Sequence, residues 1–217
     1  MGRKYDFAID EYYHVFNRGN NKRPVFLDRA DRKRFLYLLY VCNSNNPVAI
    51  KDINGDPFSF ERGDLLVHVG AYCLLKNHFH LLLREVTEDG ISKFMQKVST
   101  GYTMYFNRRY EQTGSLFEGR FRGVHVENDI HLEYLYAYIH LNPVAHIEPE
   151  WKEKGLKNIP KAEEYLQTYE YSSFLDYPLE KRVQGKILNP ESFPNYFSSE
   201  REFKRLHEQY LIGPDEV

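Results

Sequence analysis

Apolar and aromatic residues fill Tyr12 to Phe16, and the run stops at Asn17-Arg18-Gly19-Asn20, a pattern that predicts a short strand and a turn. Asp28 is placed to cap a helix from Ala30 to Val41, where Phe35, Leu36, Tyr37, Leu38, Leu39 and Tyr40 predict a largely buried element that ends at Asn43 to Asn46. Residues 47–64 are rich in Gly, Pro, Asp and Asn and contain Asn54-Gly55, which fits a hairpin or an irregular insertion. Leu65 to Leu75 and Phe79 to Leu83 are strand-like runs around Lys76-Asn77, the pattern of an antiparallel pair. Ile91, Phe94, Met95, Val98, Tyr102, Tyr105 and Phe106 recur at helical spacing and predict a helix over Ile91 to Tyr110, broken by Gly114. Arg120 to Val126 alternates as a further strand, and Asn128 or Asp129 caps a helix running to about Asn142, where Pro143 discourages continuation. Interleaved strands and helices with an antiparallel pair in the middle imply an α+β fold, with the helices expected on one side of the sheet. Beyond Pro143 the chain is polar and punctuated by Pro149, Pro160, Pro178, Pro190 and Pro194. A peripheral extension over 148–217, with a short helix from Ser199 to Tyr210, is expected beside a main domain over 1–147.

At 217 residues and 42% hydrophobic content the chain has enough apolar surface for one sizeable core. Its 18 Tyr and 15 Phe suit either a packed aromatic core or a surface on which bases stack. Cys42 and Cys73 are in no redox or metal spacing, and no run approaches a membrane span, so a soluble protein of a reducing, cytoplasmic compartment is expected. The net charge of −2 does not advertise a polyanionic partner, but it is unevenly distributed: residues 145–217 carry −4 and the rest +2. The basic residues fall in two clusters, one from Arg18 to Arg34 and one comprising Lys93, Lys97, Arg108, Arg109, Arg120 and Arg122. Solvated faces and phosphate-binding faces both fit them.

His78-Phe79-His80 is the sharpest local feature. Alternate residues share one face of a strand, so two imidazoles there either bind one metal ion or are half-buried structural histidines. No HExxH, carboxylate cluster or paired CxxC accompanies them, which argues against a structural zinc or a zinc protease. Tyr138 and Asn142, four apart on one helix face, offer a phenol and an amide oxygen, although the residues alone do not separate Tyr138 from a packed aromatic.

Several separated motifs, in order, carry a resemblance. They are Tyr13-His14-Val15-Phe16-Asn17-Arg18-Gly19, Lys76-Asn77-His78-Phe79-His80-Leu81-Leu82-Leu83, and Thr113 through Arg122. Tyr138-Ile139-His140-Leu141-Asn142-Pro143-Val144 and Tyr171-Ser172-Ser173-Phe174 follow. Over most of residues 11–177 the chain resembles the REP-associated branch of the single-tyrosine HUH transposases. That resemblance implies a ferredoxin-like fold with helices on an antiparallel sheet, a divalent ion (Mg or Mn) held by His78 and His80, and Tyr138 as the nucleophile. Asn142 stands where some relatives offer a third ligand. The implied partner is single-stranded or hairpin DNA, cut to leave a 5′-phosphotyrosine and then rejoined, by a monomer or a homodimer and without any membrane. Arg18, Lys97, Arg108, Arg109, Arg120 and Arg122 become candidates for phosphate contacts, with Arg120 and Arg122 expected two apart on one strand. The competing readings are a phosphodiesterase in which water attacks and a DNA-binding protein of the same fold without chemistry.

Overall fold

In the computed structural model, which describes residues 6–47, 53, 55–177, 182–196 and 199–211, the alternating run Tyr12–Arg18 forms strand β1. Tyr13, Val15 and Asn17 are buried on one face, while Tyr12, His14 and Phe16 are less buried on the other. Helix α1 (Arg29–Val41) starts as expected, with the Asp28 carboxylate accepting from the Asp31 N–H at 3.0 Å. Its exit is pinned by fully buried Asn43, whose Oδ1 accepts from the N–H of Leu66 (3.0 Å) and Val67 (3.1 Å) while its Nδ2 donates to Val67 O at 2.8 Å. That side chain joins the helix end to β2 (Val67–Leu74). Of the intervening segment, Asn54 lies outside the described residues, and Pro57–Ser59 forms a single 3₁₀ turn.

Strand β2 pairs antiparallel with β3 (His78–Glu85), β3 with β1, and β1 with the short β4 (Arg122–His125), giving the order β2-β3-β1-β4. Helix α2 (Gly90–Arg109) links β3 to β4. Its first turn has no capping side chain from the residue before it; the Glu85 carboxylate accepts from the N–H of Gly90 (2.9 Å) and Ile91 (2.8 Å) instead. Gly90 is required there, since a Cβ would lie 2.2 Å from Leu66 O. The βαββαβ succession with this strand order is the expected ferredoxin-like α+β arrangement.

Helices cover both faces of the sheet rather than one. Phe79 faces α1 and α2, with ring centroids 5.0 Å from Phe35, which in turn lies 5.1 Å from Tyr102. His80, the next residue, therefore faces the other way, where α3 (Asp129–Leu141) lies, capped by Asn128. The reason is legible in the burial: Leu81, Leu82 and Leu83 are all fully buried, so β3 has two apolar faces to cover. The polar stretch after Pro143 supplies α4 (Trp151–Lys154), α5 (Ile159–Thr168) and α6 (Glu200–Leu211). Its loops satisfy the open edge of β2: Leu74 N–H donates to Tyr171 O (2.9 Å), Tyr72 N–H to Ser173 Oγ (2.9 Å) and Val69 N–H to Asn189 Oδ1 (3.2 Å). Phe203, Leu206 and His207 of α6 are buried, and α6 packs on α3. The strand expected from Arg120 begins only at Arg122, because Gly119 adopts a left-handed turn with φ of 66° just before it. Arg120 thus stands outside β4, not two apart from Arg122 on one strand. Cys42 and Cys73 are buried free thiols, and no helix among the described residues is long and apolar enough to cross a membrane.

Candidate active site

The period-two geometry of β3 puts His78 and His80 on one face, with ring centroids 5.0 Å apart. Strand β1 runs beside them with Phe16 opposite His80, so that His14, on the same face, places its Nε2 2.9 Å from His80 Nδ1. His78 Nδ1 lies 2.7 Å from Asn77 Oδ1. Helix α3 crosses this face and sets the Tyr138 ring edge-on to His80 at 5.5 Å and to His14 at 5.8 Å. At the end of α3 the Asn142 Nδ2 donates to Tyr138 O at 2.7 Å, and its Oδ1 accepts from Lys152 Nζ at 3.0 Å. The Lys152 ammonium also sits 4.1 Å from the centre of the Tyr138 ring. His78, His80, Tyr138, Asn142 and Lys152 line a cavity of about 290 Å³, which Arg18, Lys22, Glu118 and Arg122 also line.

Burial holds His14 and His78 down to about 4 and His80 well below the ordinary imidazole range, with neighbouring cationic groups adding to the effect. All three rings are neutral at pH 7 and carry one N–H each. His78 Nδ1–H donates to the Asn77 oxygen. With His80 Nδ1–H donating to His14 Nε2, the Nε2 lone pairs of His78 and His80 are the ones left for a ligand. Imidazoles oriented through Nδ1 with Nε2 free suit a metal ion. The Asn142 oxygen is engaged by Lys152, and among the described residues no group of three or more His, Cys, Asp or Glu is placed to hold a metal. Burial pushes the Tyr138 phenol above its ordinary value.

Residues 63–142 match the family model described as IS200-like transposase. Over this stretch the chain is similar to the IS200-like transposases. The stretch runs from the approach to β2 through the end of α3 and includes His78, His80, Tyr138 and Asn142. The resemblance is thereby borne out for the motifs within that stretch, and it supports a transposase-like role in DNA processing. Among solved structures, that of a REP-associated tyrosine transposase bound to a REP hairpin matches with a TM-score of 0.53 at 14% identity, over 85% of this chain and 89% of that one. At that identity the likeness concerns the fold, which is the one expected. Comparison with curated proteins found no match.

Of the basic residues singled out in the sequence, Arg18 and Arg122 reach the cavity, and Arg18 is paired there with Glu118 at 2.6 Å. Lys97 and Arg109 are engaged elsewhere: Lys97 donates to Ser44 O and Asn46 O, and Arg109 bonds Asp28, Asp31 and Tyr105. Arg108 and Arg120 do not line the cavity. Two residues were missed as parts of the site. His14 had a signal, since it alternates with Tyr12 and Phe16 in a strand and stands within one of the quoted motifs, but the pairing of that strand with the histidine strand came only with the fold. Lys152 had none, being one of many charges in a polar stretch.

Proposed function

We propose that this protein cuts and rejoins single-stranded DNA through a covalent tyrosine ester, with Tyr138 as nucleophile. The observation that carries this reading is the position of the Tyr138 ring, edge-on to His80 in the cavity that His78, Arg18 and Arg122 also line. The phenol oxygen attacks a backbone phosphorus, the bond from phosphorus to the 3′-oxygen breaks, and a 5′-phosphotyrosine and a 3′-hydroxyl result. The phenol proton leaves to water in the open cavity, and the departing 3′-oxygen takes one from water. The ester keeps the energy of the phosphodiester, so the 3′-hydroxyl of another strand end reverses the step without a nucleotide cofactor. Asn142 closes the end of α3 on the Tyr138 carbonyl and so fixes where the ring stands. Arg18 and Arg122 supply the cationic wall that draws a sugar-phosphate chain into the cavity. The hairpin DNA held by the structurally similar REP-associated transposase supports a hairpin-flanked single strand as the substrate here.

A divalent ion, Mg or Mn, supplies Lewis-acid polarisation of the scissile phosphate in such chemistry. His78 and His80 would hold it through Nε2. Asn142, expected as a third donor, has its oxygen on Lys152, which leaves water and substrate oxygens for the rest of the shell.

The test is incubation of labelled single-stranded DNA from the flanks of the protein's own gene with Mn²⁺, followed by a denaturing gel. A covalent adduct is expected for the wild type, for Tyr134→Phe and for Tyr136→Phe, and none for Tyr138→Phe. Tyr136 is buried against Phe193 and Tyr177, whereas the Tyr134 ring lies tilted with its centroid 5.9 Å from that of Tyr138 and is the relevant control. Cleavage without any adduct makes water the nucleophile and refutes the tyrosine reading.

A further inference from the structure

We propose that Lys152 is a phosphate-contacting residue of this site, so that the stretch beyond the matched segment completes the cavity begun by β3 and α3. The inference rests on the DNA-cleaving reading and adds to it a binding group from outside residues 63–142. Lys152 belongs to a single helical turn, α4, held from both sides. Trp151 beside it is buried and anchors the turn, and the Glu148 carboxylate accepts from the N–H of Lys157 (2.9 Å) and Asn158 (3.3 Å), fixing the chain that enters and leaves. The ammonium so positioned donates one hydrogen bond, to Asn142 Oδ1, and lies over the nucleophile's ring.

An ammonium has three donors, and Lys152, exposed at the cavity, gives one of them to Asn142 and has the others directed to solvent or to a ligand. Among the described residues Lys152 forms no ion pair, while Lys154, two residues on, is bridged to Glu150. The rest of the cavity does not supply the missing charge. Arg18, Lys22 and Arg122 line it as well, and the one carboxylate among its lining residues, Glu118, is already paired with Arg18. Four cations around one committed carboxylate make a concavity for an anion with several oxygens. Because the ammonium is next to Tyr138, the phosphodiester it meets is the one the phenol oxygen would attack.

The experiment measures binding of the full chain to single-stranded (dT)₂₀ in EDTA over a series of NaCl concentrations. Losing one phosphate contact makes the plot of log affinity against log salt shallower by about 0.7 for a single strand. Lys152→Met, which keeps the aliphatic stem, is expected to show that change with an unaltered Tm, and Lys152→Arg to restore the wild-type slope. In parallel, (dT)₂₀ is expected to protect Lys152 of the wild-type protein from acetylation, read by peptide mass spectrometry. This second readout decides alone if Lys152→Met does not fold. An unchanged slope in a folded variant, or acetylation of Lys152 that (dT)₂₀ does not slow, overturns the proposal. Wild-type protein that binds (dT)₂₀ through Lys152 yet forms no adduct with Mn²⁺ supports this proposal and refutes the tyrosine reading. Absence of any binding overturns both.

Discussion

Two histidines away from the cavity make stability depend on pH. His207 Nδ1–H donates to Phe203 O at 2.6 Å, so its Nε2 accepts from His140 Nδ1–H at 3.0 Å, and His140 Nε2 accepts from the Ser173 hydroxyl at 2.8 Å. Every member of this chain is buried and neutral, and it ties α6 to α3 and to the loop covering β2. Burial lowers His140 well below the ordinary imidazole value and His207 from 6.5 to about 4. The unfolded chain therefore binds a proton at His207 below pH 6.5 that the folded chain refuses until about pH 4. Stability is fully present above pH 6.5, is lost as pH falls through that window, and levels off below it. Linkage converts the shift of His207 alone to about 2 kcal/mol between pH 7 and pH 5. His14, His78 and His80 add to the same slope, so the assay compares variants: urea unfolding at both pH values for the wild type and for His207→Gln. The glutamine oxygen still accepts from His140, and the expected loss between pH 7 and pH 5 is smaller by about 2 kcal/mol. Equal losses in the two proteins, or a His207 ring resonance that titrates near 6.5 in the folded state, would refute the reasoning.

The remaining predictions concern the cavity. Mn²⁺ should raise the Tm of the wild type and EDTA should reverse it, because an ion held only by the folded state stabilises it by mass action; His78→Ala with His80→Ala should abolish the shift, and an equal shift in the double variant places the ion elsewhere. Arg122→Ala should make the salt dependence of single-strand binding shallower by about 0.7. Arg109→Ala should leave that slope unchanged and lower the Tm, since Arg109 neutralises fully buried Asp31 and bonds the helix-capping Asp28; a changed slope would put Arg109 on the DNA.

What the sequence disclosed and what it concealed divide along a physical line. Local rules sufficed for Asp28 and Asn128 as caps, and for the shared face of His78 and His80, because each cap bridges residues i and i+3 and the strand's period links residues i and i+2. They also sufficed for the fold class, since the order of elements with the antiparallel pair admits few sheets. The number of covered faces was not legible, although the unbroken run Leu81-Leu82-Leu83 signalled it: an apolar run without alternation is a strand buried twice over. The destination of charges stayed hidden. Arg109 and Arg122 look alike in the chain, but Arg109 meets Asp28 and Asp31, some 80 positions earlier, while Arg122 faces the cavity. A sequence displays a charge and conceals its neutraliser, which only tertiary structure brings near. Lys152 is the same problem in reverse: nothing nearby in the chain separates it from Lys154, yet Lys154 finds Glu150 one turn away and Lys152 finds the amide and ring at the end of α3. The spacing of charges along the chain therefore does not say which of them meet a carboxylate: Arg109 finds two across the fold, and Lys152 forms no ion pair among the described residues.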